Sequence, residues 1–177
     1  MRRAGLTLVE LMIALAVLAV ALLTMLASVA FANRNTQRTR EMIEVENGVR
    51  LLVEQMYDEC RTNTSFGQIF TTYRDQTDEI ELTTGGNVKA TVRYEFPVDD
   101  NGSLIENPAA VSDPDLRQIA TLLLGSGGMD LNGDGDTDDS MTSGYDILPV
   151  RIVAEWNTPT STGVYRVPLI LYPRVGP

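Results

Sequence analysis

The sequence predicts an α+β protein in which one long N-terminal helix, transmembrane in its first half and amphipathic in its second, packs on a C-terminal antiparallel β-sheet. Three observations predict it: an uncharged apolar run from Leu11 to Ala32, an apolar stripe of helical period reaching Cys60, and strand patterns from residue 88 onward, the first of them alternating. With 177 residues, the chain has room for one globular domain and an additional segment.

The apolar run comes first. Its 22 residues carry no charge and are broken only by Thr24 and Ser28. As a helix it is about 33 Å long, enough to cross a hydrocarbon core of ~30 Å. The helix is expected to continue beyond the membrane. Met42, Val45, Val49, Leu52, Met56 and Cys60 recur at steps of three and four, an apolar face of helical period. No proline interrupts this stretch, and Gly48 costs only about 1 kcal/mol relative to alanine. Residues from Leu6 to Cys60 therefore read as one helix of roughly 80 Å. The stripe is expected to be core, with Cys60 a buried thiol at its end and not a nucleophile.

Asn63 to Gly67 is expected to break the helix, with mostly strand and loop to follow. Val88 to Phe96 alternates apolar and polar residues, the period of a half-buried strand. A shorter strand near Glu79 to Thr83 is expected to pair with it through Thr84-Gly85-Gly86-Asn87. Asp113, Pro114 and Gly125 supply the cap, first-turn proline and terminal glycine of a short helix over Asp115 to Leu124. Two further strands, Ile147 to Trp156 and Val164 to Leu171, are joined as a hairpin by Asn157 to Gly163. Trp156 and Tyr165 are expected in the core of that hairpin.

Composition narrows the function. The net charge is −10, Lys89 is the sole lysine, and the acidic residues fall almost wholly in the polar part of the chain. Such a surface repels phosphates, so nucleic acid is not a general partner. Cys60 is the only cysteine, which excludes an intramolecular disulfide and a cysteine-based zinc site. There is no histidine, the commonest general base and metal ligand. With no nucleophile motif or phosphate-binding glycine loop, an anchored enzyme has little support.

The amino terminus is the most informative segment. A secretory signal places its apolar core before the cleavage site; here a short basic leader, Met1-Arg2-Arg3-Ala4-Gly5, precedes the apolar run. Gly5-Leu6-Thr7-Leu8-Val9-Glu10 then leads directly into Leu11-Met12-Ile13. This resembles the signal of type IV prepilins and type II secretion pseudopilins: a basic leader ending in glycine, an apolar first mature residue, a Thr-Leu pair and a glutamate fifth. The resemblance implies a pilin-like fold, cleavage after Gly5 by a prepilin peptidase, methylation of the new amine on Leu6, and assembly through the N-terminal helix. It also implies that Glu10 pairs with the free amine of Leu6 on an adjacent subunit. A carboxylate in a membrane helix costs ~2.5–3.5 kcal/mol at the bilayer centre, and that pairing would offset it. The competing reading is a plain signal anchor with Glu10 near the interface.

The domains expected are a leader at 1–5, a transmembrane or filament-core helix at 6–32, and a soluble pilin-like domain at 33–177 whose amphipathic helix spans 33–60. Many major pilins carry a glycine and a proline in the apolar helix; neither occurs here between Leu11 and Ala32, which leans toward a minor pilin or pseudopilin. Arg2 and Arg3 favour a cytoplasmic amino end, while Arg34, Arg38 and Arg40 argue the other way by count. The resemblance decides for a cytoplasmic amino end. One hypothesis pairs these three arginines with Glu41 or Glu44 of neighbouring subunits.

A second motif lies in the soluble part. Asp130, Asn132, Asp134, Asp136, Asp138 and Asp139 place five carboxylates and an amide within ten residues. Asp130, Asn132 and Asp134 followed by Gly135 match the first half of an EF-hand calcium loop. Position twelve is Met141, where an acidic ligand normally closes the site, so this is not a regular EF-hand. Calcium is the expected cofactor, in a structural role, against the reading of a solvated acidic turn.

Two functions follow. The first is a structural subunit of a type IV pilus-like or type II secretion pseudopilus filament. It is inserted in the bacterial inner membrane, then assembled with other subunits by an inner-membrane platform into a periplasmic or extracellular filament. The alternative is a tip-located minor pilin that primes assembly or binds an adhesin or substrate.

Overall fold

The computed structural model describes residues 8–61, 63–83, 88–159 and 161–173. Helix α1 runs unbroken over Leu8–Glu59, 52 residues, about 78 Å at the standard rise. Through residue 40 every described position on it is exposed. From Glu41 onward one face is covered, with Glu41, Val45, Val49 and Met56 buried. The expected stripe is therefore right in period and shifted at its start. Met42 is 49% exposed, and Glu41 occupies the buried position one residue earlier.

The expected helix break is corrected. After a turn at Cys60 and Arg61 the chain enters a second helix, α2 (Asn63–Tyr73). Phe66, Ile69, Phe70 and Tyr73 lie at the spacing of one helical face and are all buried. That burial, of the order of 1.5–3 kcal/mol for each large apolar side chain, outweighs the weak helix propensity of the residues around Gly67. A Cβ added at Gly67 would meet nothing within 4 Å.

A four-stranded antiparallel sheet follows in the order β1-β2-β5-β6, from β1 (Thr77–Leu82), β2 (Val88–Glu95), β5 (Leu148–Asn157) and β6 (Thr162–Leu171). Leu82 pairs with Val88 across the β1–β2 connection, whose residues 84–87 lie outside the described residues. Asn157 pairs with Thr162 at the base of the β5–β6 hairpin. Both strands of this hairpin thus shift by one or two residues from the expected bounds. Two short strands, β3 (Leu104–Ile105) and β4 (Ser140–Met141), form a separate ladder. Between them α3 (Pro114–Leu124) is capped as expected: Asp113 Oδ1 accepts from the Asp115 and Leu116 amides at 2.8 and 3.2 Å. Gly125 follows with φ of 77°, in the left-handed region that favours glycine.

The second half of α1 lies across one face of the sheet, with Val45, Val49 and Met56 in the same core as Leu82, Val92, Ile152 and Ala154. Helix α1 meets β1 at Gly48. A Cβ added there would stand 2.6 Å from Ile80 Cγ2, so only glycine lets β1 lie this near the helix. Trp156 is buried and covers Gly163 of the facing strand, and Tyr165 is partly buried against the core. The long helix with its antiparallel sheet is the α+β, pilin-like architecture expected.

Candidate functional site

Two parts of the molecule carry the chemistry singled out in the sequence. The first is the amino-terminal helix. Gly5 and Leu6 lie outside the described residues, while Glu10 sits in the first turn of α1. The apolar half that follows is long enough to cross a membrane and none of it is covered by the rest of the chain. Leu11, Leu15, Leu18, Leu22 and Leu26 are each more than half exposed. Such a helix needs an apolar surrounding, either lipid or other helices.

At the junction of anchor and domain, Glu41 is fully buried. Thr158 Oγ1 lies 3.1 and 3.2 Å from its two carboxylate oxygens, and the Ser161 hydroxyl donates to the same group. Glu44 accepts from the Thr83 hydroxyl at 2.7 Å. Glu41 thus ties the β5–β6 turn to α1 and is not placed to meet a neighbouring subunit, which corrects the expectation for that residue. Among the described residues, Arg34, Arg38 and Arg40 form no ion pair.

The second part is the acidic loop. Leu131 is buried and its carbonyl accepts from the Asp146 and Ile147 amides at 2.7 and 3.1 Å, which pins the loop to the core. Asp130 accepts from the Gly133 and Gly135 amides at 2.6 and 3.0 Å. Both glycines have positive φ, 78° and 98°. Each next acidic or amide side chain then caps the amide two residues on: Asn132 that of Asp134, Asp134 that of Asp136, and Asp136 that of Asp138. The Asn132 amide group also donates to Asp134 and Asp139, at 3.1 and 2.9 Å. The Asp136 amide and the Asn132 side chain hold the Asp134 carboxyl below its usual range.

Sequence reading missed one participant. Glu106, just beyond β3, is fully buried. Its Oε1 accepts from the Leu131 amide at 2.6 Å and the Asn132 amide at 3.3 Å, and its Oε2 faces the Asp139 amide at 3.4 Å. Glu106, Asp136 and Asp139 each offer an oxygen within 4.8 Å of the others. That spread matches ligands on one calcium ion, which holds oxygens at 2.3–2.6 Å. Of the six residues expected from sequence, Asp136 and Asp139 belong to this group. Asp130, Asn132, Asp134 and Asp138 do not, and the first three are engaged in shaping the turn. No local pattern points to Glu106, which stands some 25 residues from the loop.

With this geometry in place, comparison with known proteins adds one finding. Residues 1–26 match the prokaryotic N-terminal methylation motif. This is the prepilin signal of type IV pilins and pseudopilins, so the resemblance drawn from Gly5, Leu6, Thr7, Leu8 and Glu10 holds. The signal implies processing by a prepilin peptidase and assembly with other pilins, and with the apolar helix it is consistent with membrane anchoring. No curated protein and no solved structure matches the chain.

Proposed function

We propose that this protein is a structural subunit of a type IV pilus-like or type II secretion pseudopilus filament. The observation that carries the reading is the prepilin signal at residues 1–26 on a continuous helix whose apolar half its own domain leaves uncovered. Prepilin peptidase cuts after Gly5 and Leu6 becomes the methylated amino terminus. Segment 6–32 anchors the subunit in the inner membrane with its amino end cytoplasmic, then enters the filament core, where Glu10 meets the Leu6 amine of the next subunit. Residues 33–177 form the domain that faces outward in the periplasmic or extracellular filament. The role is one of packing, not catalysis. Intact mass and amino-terminal sequencing of protein from its native membrane test this. A chain beginning at N-methylated Leu6 supports it; a chain retaining Met1 to Gly5 in cells with an active peptidase refutes it.

The second reading is a tip-located minor pilin that primes assembly or binds a substrate. The absence of glycine and proline from Leu11 to Ala32 leans toward a minor pilin or a pseudopilin, and so fits this reading as well as the secretion form of the first. Subunit counts in purified filaments separate the two readings: a major subunit dominates the mass, a tip subunit is present at about one copy per filament end.

For the acidic loop we propose a structural calcium site built on Glu106, Asp136 and Asp139, in a chain that has no second cysteine to form a disulfide. An ion bound only by the folded state stabilises it by about 2.7 kcal/mol at a hundred times the dissociation constant. Calcium should therefore raise the unfolding temperature of the wild type and not of the Asp136→Asn/Asp139→Asn variant. Equal responses in the two proteins would refute the site.

A further inference from the structure

The covered face of α1 continues toward the membrane as a pair of arginines. Glu41, Val45 and Val49 are buried where the helix meets the domain, and steps of three and four residues put Arg38 and Arg34 on that same face. Arg40 falls on the other side of the helix. Among the described residues the domain reaches α1 no lower than Glu41. Thr158 and Ser161 of the β5–β6 turn bond that carboxylate, and every described residue of α1 before it is exposed. Arg34 and Arg38 therefore lie beneath the rim of the domain, between it and the apolar run that ends at Ala32.

At the standard rise Arg34 stands about 3 Å and Arg38 about 9 Å beyond Ala32. A polar headgroup layer occupies roughly 5–8 Å on each side of the hydrocarbon core, so the two residues bracket the level of lipid phosphates. Side chains on a helix lean toward its N-terminus, here toward the membrane, which brings the Arg38 guanidinium down to the same layer. Positions four residues apart are neighbours on a helix, with about 5–6 Å between their Cβ atoms, close enough for both guanidiniums to reach one phosphate. Neither arginine has an ion-pair partner among the described residues. No acidic residue occurs between Leu11 and Arg40, and the next one, Glu41, is fully buried against the domain. The Thr36 and Thr39 hydroxyls are turned back to helix carbonyls, at 3.0 Å each. In a chain of net charge −10, two such cations at one depth are complementary to an anion supplied from outside the chain.

We propose that Arg34 and Arg38 clamp the phosphate of one anionic phospholipid in the leaflet on the domain side, beneath the β5–β6 turn. Each planar guanidinium presents paired N–H groups that match phosphate oxygens. A lipid with no cationic headgroup beside its phosphate leaves that charge available to them. The clamp fixes the depth of α1 in the bilayer and holds the rim of the domain just clear of the headgroups. The inference rests on the membrane-anchor part of the filament reading and adds a ligand to it.

The test takes the full-length chain from bilayers of equal parts phosphatidylglycerol and phosphatidylcholine into mild detergent. Native mass spectrometry then weighs the lipids still attached. The wild type should keep one phosphatidylglycerol, at least about tenfold in excess over phosphatidylcholine, the scale expected of two cations at an anionic surface. Arg34→Gln/Arg38→Gln should lower phosphatidylglycerol to the phosphatidylcholine level. Arg50→Gln/Arg61→Gln, which removes two exposed arginines farther from the membrane, should change nothing. Unchanged Trp156 fluorescence would show that both variants are folded. Equal loss in the two variants would assign the effect to net charge and overturn the clamp. Equal retention of both lipids by the wild type would overturn it as well. Displacement of the lipid by millimolar inorganic phosphate would mark a free-phosphate site and overturn the choice of a lipid. Resistance of the membrane-bound wild type to alkaline extraction checks the anchor separately. Its loss would remove the anchor reading itself, whereas a failed clamp leaves that reading intact.

Discussion

Gly48 offers a direct test of how α1 meets the sheet. An exposed glycine inside a helix is normally improved by alanine, by about 1 kcal/mol. At Gly48 the added Cβ would stand 2.6, 2.7 and 2.9 Å from Cγ2, Cδ1 and Cγ1 of Ile80, well inside the 3.5–4.0 Å of a favourable carbon contact. Overpacking of this kind costs about 1–3 kcal/mol, so Gly48→Ala should be neutral to destabilising by ~2 kcal/mol once the helix gain is subtracted. The reasoning makes a sharper claim about sign. All three clashing atoms are absent in Ile80→Ala, so in that background Gly48→Ala should stabilise by about 1 kcal/mol. The assay is urea unfolding of the full-length chain in detergent micelles, followed by fluorescence of Trp156, the only tryptophan, with midpoints compared at constant slope. A Gly48→Ala protein more stable than wild type with Ile80 in place would refute the close packing of β1 on α1.

Three further outcomes follow from buried polar groups. Glu41→Ala should destabilise the domain by about 1–3 kcal/mol, because the Thr158 and Ser161 hydroxyls lose their buried acceptor; urea midpoints would show it, and a change within error would refute the tie. Tyr145 Oη donates to the Phe66 carbonyl at 2.9 Å and accepts from the Phe70 amide at 3.1 Å, bridging two groups one turn apart in α2. Tyr145→Phe should cost about 1 kcal/mol and increase amide exchange at Phe70; unchanged exchange would refute the bridge. Burial pushes the Cys60 thiol up to about 11, with Glu59 adding to the effect. A raised folded value means stability present below the unfolded value near 9 and lost as pH rises through 11. Native protein at pH 8 should therefore resist thiol alkylation that urea-unfolded protein undergoes; fast native alkylation would refute the burial.

Much of the architecture is written in local patterns. The apolar run, the helical stripe, the Asp113 cap with Pro114 and Gly125, and the alternation of β2 each depend on residues close in sequence, so period and capping suffice to read them. α2 escaped because its start combines asparagine, threonine, serine and glycine, residues that signal a break. Only the core opposite Phe66, Phe70 and Tyr73 reverses that preference.

The same division holds at the sites. Sequence alone determined the prepilin signal, since a peptidase reads a short contiguous segment, and it located the acidic loop, since like charges were crowded within ten residues. Tertiary structure decided which carboxylates meet. It brought Glu106, just beyond β3, to the acidic loop and buried Glu41 one residue before the expected stripe. It also gave Gly48 its reason, a contact with Ile80 on β1. The physical cause is common to all three. Hydrogen bonding and close packing act over a few ångströms between segments far apart in the chain, and no periodicity within either segment records which partner the fold will bring.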